Sequence, residues 1–168
     1  MNRITLLLSA AALAATGGCV ISEPTETRAF AQSGFDSIEA SGGVNLVLRQ
    51  GAYAINAEGP KSKLDKLVIQ QNGPTLSIRR EPAMNWFSIN VSDRDVVTVT
   101  SPDYRTIKAT GGVDIDASGL RLPALSLRID GGADFDATSF NVDQLTIDSS
   151  GGGDIKLVGA CKSLTINA

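Results

Sequence analysis

The chain has 168 residues, a net charge of −3 and no histidine, which gives room for one domain and excludes Ser-His-Asp and Cys-His nucleophile sets and His-ligated metals. With 15 basic against 18 acidic residues and 5% aromatics, it has neither the positive field nor the stacking platforms of a nucleic-acid binder, and no nucleic-acid partner is expected. Seventeen glycines beside only two methionines and one tryptophan suit strands and turns more than long helices.

The first segment, MNRITLLLSAAALAATGGC, combines a lone basic residue, Arg3, with an apolar run from Ile4 to Ala15 and small residues up to Cys19. This is the pattern of an export signal, and its run is shorter than the roughly 20 residues of a membrane-spanning helix. Small residues before a cysteine resemble a bacterial lipobox. On that reading residues 1–18 are a lipoprotein signal peptide, Cys19 is the lipidation site, and a lipid membrane is the partner of the acylated residue. Thr16 stands where such motifs usually carry Leu, so cleavage after Ala14 is the alternative. Losing residues 1–18 removes one charge, Arg3, and takes the net charge from −3 to −4. Residues 19–33 mix Pro, Glu, Thr and Ser without apolar periodicity and read as a flexible tether, leaving residues 34–168 as the domain.

The domain opens with SIEASGGVNLVL from Ser37. AYAINAEG, KLVIQQNGPTLSIRRE and SINVSDRDVVTVTSP then read as strands joined by turns, with QNGP as a hairpin signal. Pro60 starts a helical turn or two over Lys61–Leu67. From Thr106 the opening pattern returns as TIKATGGVDIDA, then from Ser126 as SLRIDGGADFDA, from Thr146 as TIDSSGGGDIKL, and in the closing SLTINA. Asp114, Asp134 and Asp154 fall twenty residues apart, as do Ile115, Phe135 and Ile155.

A unit of about twenty residues with two short alternating runs and Gly-rich corners is too short for a helix pair and fits one coil of a stack. The expected fold is all-β, a parallel β-solenoid whose coils repeat at about 4.8 Å. Alternation places Val113, Ile115, Ala117, Leu125, Leu127 and Ile129 inside, with Asp114, Asp116, Ser126 and Arg128 outside.

GFDSIEASGGVNLVLRQG, then VTVTSPDYRTIKATGGVDI and the later GG-x-D coils, resemble the bacterial head GIN domain family, a domain of unknown function linked with autotransporter adhesins. The resemblance covers Gly34 to Ala168. It implies export, often as a lipoprotein, a fold of stacked β-coils, and surface binding. Members often carry additional coils.

The acidic ladder of Asp114, Asp134 and Asp154, flanked by Asp116 and Asp136, needs compensation because stacked carboxylates repel. The structural reading has each Asp accept hydrogen bonds from the backbone of the preceding Gly-Gly corner. The functional readings are a Ca²⁺ site on Asp114, Asp134 and Asp154 and a carboxylate pair for glycoside hydrolysis. Trp86 and Phe87 are neighbours that face opposite ways on a strand, one as core and one as cap or binding anchor. Lys61, Lys63 and Lys66 read as solvated surface. Cys161 reads as a small core residue, with a disulfide to Cys19 open if Cys19 keeps its thiol.

The sequence reading is a non-enzymatic module of the bacterial cell envelope, anchored by lipid on the outer-membrane or periplasmic face. No catalytic set or cofactor is assigned, and a cell-surface glycan or protein is the expected ligand. A calcium-dependent or carbohydrate-processing enzyme on the same scaffold is the alternative. If Cys19 is acylated, Cys19→Ser should move the protein from the membrane fraction to the soluble envelope fraction, since each buried acyl CH₂ contributes about 0.8 kcal/mol. Unchanged fractionation would sink the lipid anchor.

Overall fold

The alternating runs build strands throughout the computed structural model, which describes residues 23–81 and 95–168. In chain order these are β1 (Thr25–Phe30), β2 (Ser37–Ser41), β3 (Asn45–Gln50), β4 (Ala54–Pro60), a single turn α1 (Lys61–Leu64), β5 (Leu67–Asn72), β6 (Thr75–Arg80), β7 (Val96–Ser101), β8 (Thr106–Thr110), β9 (Asp114–Asp116), β10 (Arg121–Gly131), β11 (Asp134–Gly151) and β12 (Ile155–Asn167). The export leader, Cys19 and the Trp86–Phe87 pair lie outside the described residues.

All twelve strands join one sheet in the order β1-β4-β7-β3-β9-β11-β10-β8-β2-β6-β5, with β12 on β11. β11 pairs with β9 through Asp134–Asp136 and with β10 through Asn141–Gly151. Between these stretches its ladder shifts at Thr138/Phe140, beside Ser139 at φ 55. One strand thus serves two walls, and the sheet curls round a single core into a nearly closed, barrel-like shell.

The twenty-residue period is the register of the C-terminal pairings: Leu127 opposes Ile107 on one side and Ile147 on the other, and Phe135 opposes Ile115 and Ile155, all in parallel ladders. A parallel β-solenoid along the whole domain is corrected by the N-terminal half, where β1–β4, β4–β7 and β5–β6 pair antiparallel. A short turn causes the last of these. Gly73 and Pro74 link β5 to β6, with Gly73 at φ 58, and a two-residue loop can only return the chain antiparallel. A second correction concerns residues 25–30 of the supposed tether, which form β1 along β4. The helical reading after Pro60 shrinks to four residues, Lys61–Leu64.

The interior set is as alternation placed it: Val113, Ile115, Ala117, Leu125, Leu127 and Ile129 are buried, and Phe135 is fully so. Phe135 meets Phe140 edge to face at 6.4 Å, a favoured aromatic geometry. Tyr104 bolts the walls together, its buried hydroxyl lying 2.9 Å from the Arg49 carbonyl and 2.8 Å from that of Val99. Burial pushes its phenol pKa up. Arg80 at the end of β6 pairs with the buried carboxylate of Asp95 just before β7. The Gly-Gly corners stack as closely as backbone allows. Gly131 has φ 81, and a Cβ there would lie 3.3 Å from the Gly111 nitrogen; at Gly151 it would lie 2.5 Å from the Gly131 oxygen.

Phe135→Ala should cost about 3–5 kcal/mol by urea unfolding, because it empties the centre of a stacked ladder. Asp136→Ala, next along and exposed, should cost under about 1 kcal/mol. Equal costs would contradict the register.

Candidate functional site

Parallel pairing turns each outward residue into a ladder, and two outer faces result. On the first, β3, β9 and the start of β11 align Asn45, Asp114 and Asp134 in one row and Val47, Asp116 and Asp136 in the next, with Asp154 following Asp134. An open groove of about 310 Å³ runs along them. The carboxylates are spaced along the stack rather than convergent, and no group of three or more Asp, Glu or Cys among the described residues is placed to hold a metal ion.

Compensation comes from a source other than the expected Gly-Gly corner. Asp134 accepts a 2.9 Å hydrogen bond from the backbone N–H of Asp154, one coil further on. Asp116 accepts from the N–H of Ser118 at 2.9 Å and has Arg49 3.6 Å away. Burial raises the Asp116 pKa, but Ser118 and Arg49 outweigh it and hold the carboxyl below its ordinary value.

The second face lies on β6, β2, β8, β10, β11 and β12. There Thr75, Ser37, Thr106, Ser126, Thr146 and Thr165 oppose one another rung by rung, and the residue after each is Leu76, Ile38, Ile107, Leu127, Ile147 or Ile166, so the hydroxyls point outward. Ser37 donates to Asp36 at 2.8 Å; none of the other five hydroxyls hydrogen-bonds another described side chain.

The adjacent row runs Ser77, Glu39, Lys108, Arg128, Asp148, Asn167, and the row beyond it includes Arg79, Thr110, Asp130 and Ser150. Its three acids and three bases balance. Lys108 pairs with Glu39 at 2.8 Å and Arg128 with Asp130 at 2.9 Å, and Asn167 donates to Asp148 at 2.7 Å. At the ladder's flank, an open groove of about 400 Å³ is lined by Asp103, Arg105, Ser126, Gln144 and Thr146. Thr106, Ser126 and Thr146 recur at the twenty-residue interval in the sequence, each two places before a charged residue, Lys108, Arg128 or Asp148.

The other sequence candidates are dispersed. Cys161 is exposed rather than a core residue, although its registry neighbour Val142 is buried, because among the described strands β12 pairs only with β11. Lys61 is exposed and pairs with Asp65 at 2.6 Å, while Lys63 and Lys66 are half-buried.

A family model described as "Putative auto-transporter adhesin, head GIN domain" matches residues 34–168. The chain belongs to the head GIN domain family. Solved structures share the fold: a "putative adhesin" of Bacteroides fragilis NCTC 9343 has a TM-score of 0.76 at 22% identity, over 85% of this chain and 66% of that one. A "putative lipid binding protein" of Parabacteroides distasonis ATCC 8503 has a TM-score of 0.68 at 18% identity, over 84% and 61%. A "putative adhesin" of the same strain has 0.57 at 15%, over 86% and 70%. This head GIN chain therefore spans about two thirds or less of the length of the first two. No curated protein matches its sequence.

Among the described residues of this head GIN domain, Asp65 and Asp130 join Asp116 in having carboxyls held below the ordinary value. Asp65 is lowered by Lys61 and Arg28, and Asp130 by the Ser150 hydroxyl, 2.7 Å away, and then by Arg128. Because the folded-state pKa of Asp130 is depressed, its contribution is present above the ordinary value of 3.8 and is lost as pH falls through the lower folded value. Asp130→Asn should lower the urea midpoint near neutral pH, with the difference closing in acid. A difference independent of pH would show that the charge plays no part.

Proposed function

We propose that this head GIN domain is a non-enzymatic, exported surface-interaction module that binds a neutral polyhydroxylated polymer, a cell-surface glycan, along its hydroxyl ladder. The supporting observation is the row of six Ser and Thr residues in parallel register on a charge-balanced face. Hydroxyls both donate and accept, so a row of them suits a ligand that presents the same groups. Its rungs recur at about 4.8 Å, commensurate with an extended chain of linked sugar rings. The side groove adds Arg105, Asp103 and Gln144 as directional partners. The surrounding ion pairs leave no net charge to draw a polyanion, whereas the acidic face would repel one. An array of weak contacts favours a long repeating ligand over a small one, because each rung adds to the same encounter. Family membership and the adhesin descriptions of its solved relatives support the same class of role.

The test is binding to a panel of neutral and acidic polysaccharides by calorimetry or a glycan array. A triple variant, Thr106→Val, Ser126→Ala and Thr146→Val, should lose at least about tenfold in affinity, the equivalent of 1.4 kcal/mol, while keeping its melting temperature. Asp134→Asn on the other face should bind like the parent. Absence of neutral-glycan binding by the parent, or loss on altering Asp134 alone, would overturn the assignment.

A further inference from the structure

The chain enters the stack at one particular end. β1 and β5 stand at the two extremes of the strand order, and each is six pairings from β12 along its own wall, about 29 Å at 4.8 Å per strand. α1 packs on β4 and β1 and leads into β5, so β1, α1 and β5 together form the end opposite β12.

The segment that precedes the domain is tied to this end. The Glu23 carboxylate accepts hydrogen bonds from the Ser62 N–H at 2.9 Å and from the Ser62 hydroxyl at 2.5 Å. From Thr25 onward the backbone pairs along β4, and Arg28 of β1 lies 2.5 Å from Asp65, just beyond α1. Only Val20, Ile21 and Ser22 separate Glu23 from Cys19. Four Cα steps of 3.8 Å therefore bound the Cys19–Glu23 distance at about 15 Å, half the height of the stack.

We infer that the end built from β1, α1 and β5 rests on the lipid headgroup layer, and that the stack rises from it with β12 farthest from the membrane. The inference rests on the lipid anchor expected at Cys19 and gives that anchor a direction: a tether this short holds the α1 end close to the surface. Charge favours the same placement. Lys61, Lys63 and Lys66 stand on α1 and the turn after it. Asp114, the first acid of the carboxylate row, lies four pairings from β1, about 19 Å and so more than two screening lengths of about 8 Å from the phosphates. Tipping onto that wall would press Asp114, Asp134 and Asp136 against anionic headgroups. Standing upright, the hydroxyl ladder has Thr75 and Ser37 near the lipid and Thr165 far from it, and a polymer lying along the ladder runs away from the membrane.

Depth-dependent quenching provides the test, on lipidated protein purified from membranes and reconstituted into phosphatidylethanolamine–phosphatidylglycerol vesicles that carry a nitroxide on the headgroup. An acylated Cys19 has no thiol, so a fluorophore on the exposed Cys161 of β12 reports the far end. Thr27→Cys in a Cys161→Ser background reports the near end from an exposed position on β1. The probe at position 27 should lose most of its emission and the probe at Cys161 almost none. A Gly-Ser insertion of about twelve residues after Ile21, roughly 20 Å as a coil, should relieve the quenching at position 27 and leave the membrane fraction unchanged. Membrane-bound protein with equal quenching at both sites, or with more at Cys161, would overturn the orientation alone. A parent chain found only in the soluble fraction would overturn the anchor, and the orientation with it.

Discussion

The coil stack of this fold depends on parallel backbone pairing that keeps equivalent residues in register. A single coil of about twenty residues cannot bury its own apolar side; it becomes stable only when the next coil lays an identical alternation over it. That requirement puts Ile107, Leu127 and Ile147 in one column and Ile115, Phe135 and Ile155 in another. The same requirement multiplies whatever points outward. Hydroxyls repeated in this way become a continuous surface, whereas carboxylates become an electrostatic liability. The molecule relieves that liability locally, with the Asp154 N–H on Asp134 and with Ser118 and Arg49 on Asp116. For these two acids compensation is built into the stack itself.

The period and the phase were legible in the sequence because both arise from local alternation. Every residue assigned to the interior between Val113 and Ile129 is buried. The partners of the acids were not legible, since the group that Asp134 accepts from lies on the next coil and follows from stacking distance rather than from neighbours in the chain. Cys161 shows the same limit from the other side. Its sequence context is that of a core residue, and its exposure follows from its place on β12, which among the described strands pairs only with β11. The hydroxyl face was half visible: the spacing of Thr106, Ser126 and Thr146 is plain, but Thr75 and Ser37 join the row through pairings 38 and 69 residues apart in sequence.

The N-terminal half was harder to read for a related reason. β1 lies at the edge of the sheet, where a strand needs no fully buried side, and TETRAF accordingly alternates only between exposed and half-buried positions. Such a segment has the composition of a linker, and its identity as a strand is set by the backbone of β4. The antiparallel pairings there also extend the sheet sideways beyond the coils. β4 and β7 carry the sheet beyond β3, and Tyr104 reaches the carbonyls of Arg49 and Val99 to hold that margin against the coil stack.

The stacked Gly-Gly corners have a bearing on how such a chain can change in length. Gly131 lies against Gly111, and Gly151 against Gly131, with no room for a side chain between them. One residue gained or lost within a coil would bring a side chain into that column and turn the following alternation inside out. Gain or loss of a whole coil would leave every contact in kind. Growth by duplication is therefore quantised: the fold accepts insertions as complete turns, each adding one further rung to both outer faces at once.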